Sequence, residues 1–307
     1  MEMKTMIKWK RIHALTLRIV ACSLLAVLSL ALVPLPAMGV VSKVAQKTGV
    51  TVHSNDKVSI DASNLEEGYV IVKYTGGKDV KIKAQVAKKD GSSYTYDINA
   101  KGNPEVIPLT EGDGKYSIGV FENVSGTKYA QAYSATLDVK LRDPLLPFLY
   151  PNQYVNFKEN SSVATKAAEL TKDKKEDKEK LIEIYSFVTD NLTYDTELAK
   201  TVQSGYLPDV DKVLERKKGI CFDYAALMSS MLRLQGIPSQ LCVGYAGTVY
   251  HAWINIYIDD AWVFRAINYD GKKWTLLDPT FVSTSNSANA VKQFIGEGNS
   301  YSQKFVY

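Results

Sequence analysis

Residues 219–238, GICFDYAALMSSMLRLQGIP, constrain this chain more than any other stretch. Cys221, Ala225, Met228 and Leu232 fall on one helical face, and Tyr224, Leu227, Met231 and Leu234 cover another. A helix apolar over most of its circumference is a buried one. Gly219 leads in, Gly236 suits the left-handed position after the last turn, and Pro238 blocks continuation. A thiol therefore stands where the buried helix begins. Unpaired backbone N–H groups and the partial positive charge of a helix start both favour thiolate over thiol.

Residues 1–39 read as a secretory leader: Lys4, Lys8, Lys10, Arg11 and Arg18 make a basic start, 19–33 is apolar, and Ala37, Met38 and Gly39 suit cleavage. An uncleaved anchor is the alternative, because 19–38 carries no charge and has about the 20 residues a membrane helix needs. The protein is thus expected to be secreted or extracellular, and cell-surface associated if the leader is kept. IVAC at 19–22 loosely matches a lipid-attachment box, but its cysteine precedes most of the apolar run. The formal net charge of +4 belongs to this segment: without its five basic residues and Glu2 the remainder balances, which leaves no electrostatic footprint for nucleic acid. Of three cysteines only Cys221 and Cys242 follow the leader, too few for a disulfide framework.

Between residues 50 and 141 the pattern is that of half-buried strands, clearest in YVIVKY (69–74), VKIKAQV (80–86), YSIGVF (116–121) and YSATLDVKL (133–141). Gly76-Gly77, Asp90-Gly91 and Asp113-Gly114 supply turn chemistry between them, so this half is expected to be a small β-sandwich. His53 stands alone in it and reads as exposed. Pro144, Pro147 and Pro151 in DPLLPFLYPNQY favour extended backbone and mark a connection. Helical periodicity follows, with Leu181, Ile184, Tyr185, Val188 and Leu192 on one face after the mixed-charge run KDKKEDKEK. Strands return at 240–246, 251–258 and 274–278. The expected organisation is a signal peptide or anchor (1–39), a β-sandwich-like domain (40–142), a Pro-rich linker (143–162), an α+β catalytic domain (163–283) and a tail of unassigned role (284–307).

Elementary dimensions say what meets the thiol. The helix advances about 20 Å from Cys221 to Leu234, and the next strand has returned only about 10 Å by Cys242. The two α-carbons stay about 10 Å apart, beyond the roughly 7 Å that a disulfide spans. Cys242, between Leu241 and Val243, reads as a small buried hydrophobe. By Gly247 the strand has retraced about 23 Å, and a turn at Gly247-Thr248 delivers His251 near the helix start. If 259–271 is an excursion, the strand at 274–278 can run antiparallel to 251–257 and bring Asp278 opposite His251, although Asp-Pro is also an ordinary turn dipeptide. Asp223, roughly 200° round the helix from the thiol, reads as a first-turn acid favoured by the dipole.

GICFDYAALMSSMLRLQGIPSQLCVGYAG, YHAWINIYI and WTLLDPTF resemble the three blocks of the transglutaminase-like superfamily of papain-like thiol enzymes, over about residues 166–282 and in the form of secreted bacterial members with an N-terminal β domain. The resemblance implies an α+β papain-like core preceded by a small all-β domain, with Cys221 as nucleophile, His251 as acid and base, and Asp278 as its orienter. Cross-linking members place a tryptophan upstream of the cysteine as an oxyanion donor, and no tryptophan lies between Trp9 and Trp253. Tyr194 and Tyr206 are candidates for that role beside the backbone N–H of Cys221. The stretch between the His and Asp strands is also longer than the family's usual short hairpin.

The expected chemistry is acyl transfer on amides through a Cys221 thioester, as a peptidase or amidase if water resolves it and as a protein-glutamine transglutaminase if an amine does. Protein or peptide substrates are implied, cell-wall peptides included, and no cofactor. Two sulfurs and one histidine are too few for a structural zinc site. Trp253, Trp262 and Trp274 read as core or hairpin packing rather than as walls of the site. The alternative from another class is a catalytically silent surface or wall-binding protein that keeps the fold while its β domain does the recognition.

Overall fold

Alternation of inward and outward side chains builds the first half. A computed structural model of the chain describes residues 43–264, 267–269, 274–276, 280 and 301–307. The leader, with its lipid-box-like stretch, most of the tail and Asp278 lie outside the described residues, as does the side chain of Trp274. Eight strands, β1 (Val52–Ser54), β2 (Val58–Asp61), β3 (Tyr69–Tyr74), β4 (Ile82–Lys88), β5 (Ser93–Ile98), β6 (Glu105–Pro108), β7 (Gly114–Ser125) and β8 (Lys128–Val139), form two four-stranded sheets ordered β1-β2-β3-β6 and β5-β4-β7-β8. In β5 the pattern is complete: Tyr94, Tyr96 and Ile98 are buried, while Ser93, Thr95 and Asp97 face water. Asp90 and Gly77 take positive φ where the sequence signals turns. The sheets close over Ile60, Val70, Val72, Tyr96, Ile118 and Val120. Glu122 is buried with them, accepting Tyr74 Oη at 2.6 Å and Lys78 Nζ at 2.5 Å, with Lys57 Nζ at 3.4 Å. Lys78 first, then Tyr74 and Lys57, hold its carboxyl down at about 2.

The proline-rich connection is packed: Leu146, Pro147, Phe148 and Tyr150 are buried, and Tyr150 gives its hydroxyl to Glu67 at 2.5 Å. The second half holds α1 (Ser162–Thr171), α2 (Asp177–Asn191), β9 (Thr193–Tyr194), α3 (Thr196–Thr201), α4 (Val210–Arg216), β10 (Lys218–Gly219) and α5 (Cys221–Leu234). Ser161 caps α1 by accepting the Ala164 N–H. The expected face of α2 is buried, from Leu181 to Val188. Helix α5 ends as its sequence requires, with Gly236 at φ 76°. It lies between α1, α2 and α4 on one side and the strands β11 (Ser239–Ala246) and β12 (Val249–Ile258) on the other. Among the described residues no helix is long and apolar enough to cross a membrane.

The core sheet runs β13-β12-β11-β16, where β13 is Ala261–Phe264 and β16 is Tyr301–Val306. Two expectations change here. The tail without an assigned role supplies an edge strand, antiparallel to β11 with Val306 opposite Cys242. The strand expected to flank β12 does not: Trp274–Leu276 (β15) pairs with Ile267–Tyr269 (β14), and β13 takes the edge of β12 at Asn255–Ile258. The supposed excursion is itself strand-forming, and a neighbour close in sequence claims the edge first.

Arg233, near the end of α5, is fully buried. Its guanidinium donates to Tyr150 O (2.7 Å), Ser239 O (2.7 and 3.2 Å) and Tyr307 O (2.8 Å). Burial pushes its pKa down to about 9, which leaves it charged at neutral pH.

Candidate active site

Cys221 is the first residue of α5 and half-buried. The residue before it, Ile220, is extended, and its carbonyl accepts the first helical bond, from Tyr224 N–H at 3.1 Å. The N–H groups of Cys221, Phe222 and Asp223 thus precede the helical ladder. What fixes this geometry is Asp223, which is fully buried. Its carboxylate accepts the Ile220 N–H at 2.9 Å, the Tyr206 hydroxyl at 2.7 Å and Arg216 Nη2 at 3.1 Å. Burial pushes the carboxyl up, and Tyr206, the Ile220 N–H and Arg216 draw it back down. A β-carbon on Gly219 would sit 2.5 Å from Cβ of Asp223, so glycine is what lets the carboxylate fold back under the helix start.

Asp223 is therefore more than a first-turn acid: it brackets the helix N-terminus and carries its own counter-ion. The same bond occupies Tyr206, whose proton goes to Asp223 rather than to a reacting oxygen. Tyr194, the other tyrosine considered, pairs through its backbone with Gly219 in the parallel β9–β10 ladder.

The chain reversal runs as the dimensions require. Strand β11 returns along α5, Gly247 turns at φ 61°, and β12 starts with Tyr250 opposite Tyr245 and His251 opposite Gly244. Alternation then decides which side chains face the helix. Ala252, Ile254 and Ile256 join Leu241 and Val243 in the core with α5. His251 and Trp253 share the other face, their rings stacked at 6.4 Å, in a cluster with Tyr301, Phe148, Cys242 and Val306. The side chain of β12 on the α5 side at the level of the thiol is that of Tyr250. His251 is buried, one residue further on.

Both cysteines are free. Cys242 is fully buried, as its apolar flanks require, and Asn255 Nδ2 donates to its sulfur at 3.1 Å. Trp253 is buried and Trp262 packs edge-on against Phe148 at 5.3 Å, so both are packing residues. Asp278 lies outside the described residues. No group of three or more His, Cys, Asp or Glu among the described residues could hold a metal ion.

A family model described as the Transglutaminase-like superfamily matches residues 164–279. With the α+β layout above, it fixes the fold of the second half. That half has a papain-like, transglutaminase-like α+β fold, and a β domain precedes it. No curated protein matches the chain. Similar solved structures include a candidate cysteine protease from Cytophaga hutchinsonii (15% identity, TM-score 0.37, 76% of this chain and 70% of that one). A candidate protease from Parabacteroides distasonis (17%, 0.29, 63% and 39%) and red sea bream transglutaminase (14%, 0.27, 72% and 49%) are similar too. The chain spans less than half the length of the last two.

Arg216 and Tyr250 went unnoticed in the sequence. Arg216 carried no signal, because its spacing of seven from Asp223 crosses a turn between two helices. Tyr250 could have been found by counting in twos back from Ala252 along β12.

Proposed function

We propose that this protein is a secreted thiol enzyme that moves acyl groups from amides through a thioester on Cys221, with His251 as acid and base and Asp278 as its orienter. One observation carries the reading: a free, half-buried thiol at the first residue of a buried helix, inside the stretch similar to the Transglutaminase-like superfamily. The helix start lowers the cost of the thiolate. The sulfur attacks the carbonyl carbon, the carbonyl π pair becomes an oxyanion, and its return expels the amine, which takes a proton from the His251 imidazolium. Water or a second amine then attacks the thioester, His251 takes the proton of that nucleophile, and the sulfur leaves as thiolate.

The proposal adds one step to the described contacts, that the imidazole reaches the sulfur around the start of β12. Support for it is the strand's outer edge, which has no partner among the described residues before Asn255. Peptides and proteins are the substrate class that this chemistry serves.

The test is Cys221→Ala with a labelled amine and a glutamine peptide, counting ammonia and adduct separately. Wild type is expected to release ammonia, form adduct or both, and the variant to lose at least about 1,000-fold of either. Iodoacetamide at neutral pH is expected to modify Cys221 well before Cys242. Equal activity of variant and wild type would leave a binding protein on this fold as the reading.

A further inference from the structure

An acyl transfer at Cys221 needs a second donor for the oxyanion beside the backbone N–H of the cysteine, and Tyr206 has given its proton to Asp223. The opposite wall of the site offers another. From Ile256, opposite Ser239 at the far end of α5, strand β12 counts six residues back to Tyr250, about 20 Å, which is the length of α5 itself, about 20 Å for 14 residues. Tyr250 shares the parity of Ala252 and Ile254, the side chains packed against α5. Face and level together set its ring beside the first turn of that helix.

Three further properties suit it to touch substrate. Tyr250 is 59% exposed, although it borders a buried helix. Among the described residues no group hydrogen-bonds its hydroxyl, while Tyr206, Tyr150 and Tyr74 each donate theirs to a carboxylate. The ring is nevertheless held: Tyr245 meets it edge-on at 5.5 Å, and Lys304 Nζ sits 4.8 Å from the centre of Tyr245 on the same side of the sheet. Partial burial, Tyr245 and then Cys221 keep the phenol's pKa above its usual value, so it carries its proton at neutral pH.

We propose that Tyr250 is the second oxyanion donor, its phenol O–H facing the carbonyl oxygen that Cys221 attacks. This rests on the acyl-transfer reading above and adds a residue to it. The phenol gives a hydrogen bond and keeps its proton; it is a catalytic group by contact with the reacting oxygen and does not replace His251.

The experiment uses the full chain and two small probes that meet the same sulfur. p-Nitrophenyl acetate acylates it through a tetrahedral oxyanion, and iodoacetamide alkylates it by displacement with no oxyanion. Tyr250→Phe removes one exposed oxygen and leaves the ring in place. The acylation burst is expected to slow about 100-fold, the usual effect of removing one such donor, while alkylation stays within about twofold of wild type.

An unchanged burst in Tyr250→Phe, with Cys221→Ala inert, overturns the donor assignment alone. Equal slowing of both reactions also overturns it, because the phenol would then be acting on the thiolate. A wild-type protein that gives no more burst than Cys221→Ala removes the thiol-enzyme reading and the donor with it.

Discussion

Two buried carboxylates, one in each half of the molecule, meet opposite fates. Glu122 in the sandwich lies against two lysines and a tyrosine and is held at about 2. Asp223 in the helical core has one arginine, one tyrosine and a backbone N–H, and burial outweighs them, pushing its carboxyl up. Cation count and access to water decide the outcome, not burial alone. Glu122 is a clamp between a strand and the loop that bears Lys78. Asp223 sits two residues from a sulfur, where an unbalanced negative charge would oppose thiolate formation. Its single arginine cancels the charge, and its two neutral donors fix its position.

Variants at these two sites and beside them sharpen or break the contrast. The largest change is expected from Asp223→Ala, which strands Arg216 and the Ile220 N–H and should cost about 3 kcal/mol in urea unfolding. It should also slow iodoacetamide at Cys221, because the helix start loses its bracket. A variant as stable and as reactive as wild type would reduce Asp223 to an ordinary buried acid.

Glu122→Gln comes next, at about 2 kcal/mol at neutral pH. Its folded pKa is about 2 against about 4.3 unfolded, so its stabilisation is complete above about pH 5 and fades as pH falls towards 2. Wild type and Glu122→Gln should therefore converge in stability under acid. Asp223 has the reverse sign, since a raised folded pKa makes acidification favour the native state. Comparing wild type with Asp223→Asn from pH 7 to 3 reads that sign directly, and matching slopes at the two sites would erase the distinction. The smallest change, about 1 to 2 kcal/mol, is expected for Gly219→Ala, whose methyl meets Asp223 at 2.5 Å. Thermal unfolding measures it, and Asp223→Ala should not relieve it, because alanine keeps the β-carbon that the new methyl meets.

The sequence was most legible where the signal is local. The bounds of α5, the buried face of α2, the alternation in β4 and the reversal from α5 through β11 each rest on neighbours within a few residues, and each appears in the structure, whereas β3, read as half-buried, is buried on both faces. The separation of the two sulfurs followed from chain dimensions alone. Pairings across long separations were not legible. Nothing in YSQKFVY says that it will lie beside a strand some 60 residues earlier, and the partner of Trp274–Leu276 depended on whether 259–271 formed strands of its own.

At the site the limit was parity. Placing β12 at the helix start needed only its length, but deciding between Tyr250 and His251 for the inner face turned on a single residue of phase. The bracket of Arg216, Tyr206 and Asp223 is a tertiary arrangement of residues with no common period.

The guanidinium of Arg233 ties residue 150 to residue 307 across the buried end of the helix. During synthesis the sandwich is complete once residue 139 has emerged, yet this cation lacks one of its three anchoring carbonyls, and β11 lacks its second neighbour, until residues 301–307 arrive. Maturation of the thiol-bearing half thereby waits on a segment made some 60 residues after the strand it flanks, and the nascent helix stays unlatched until then.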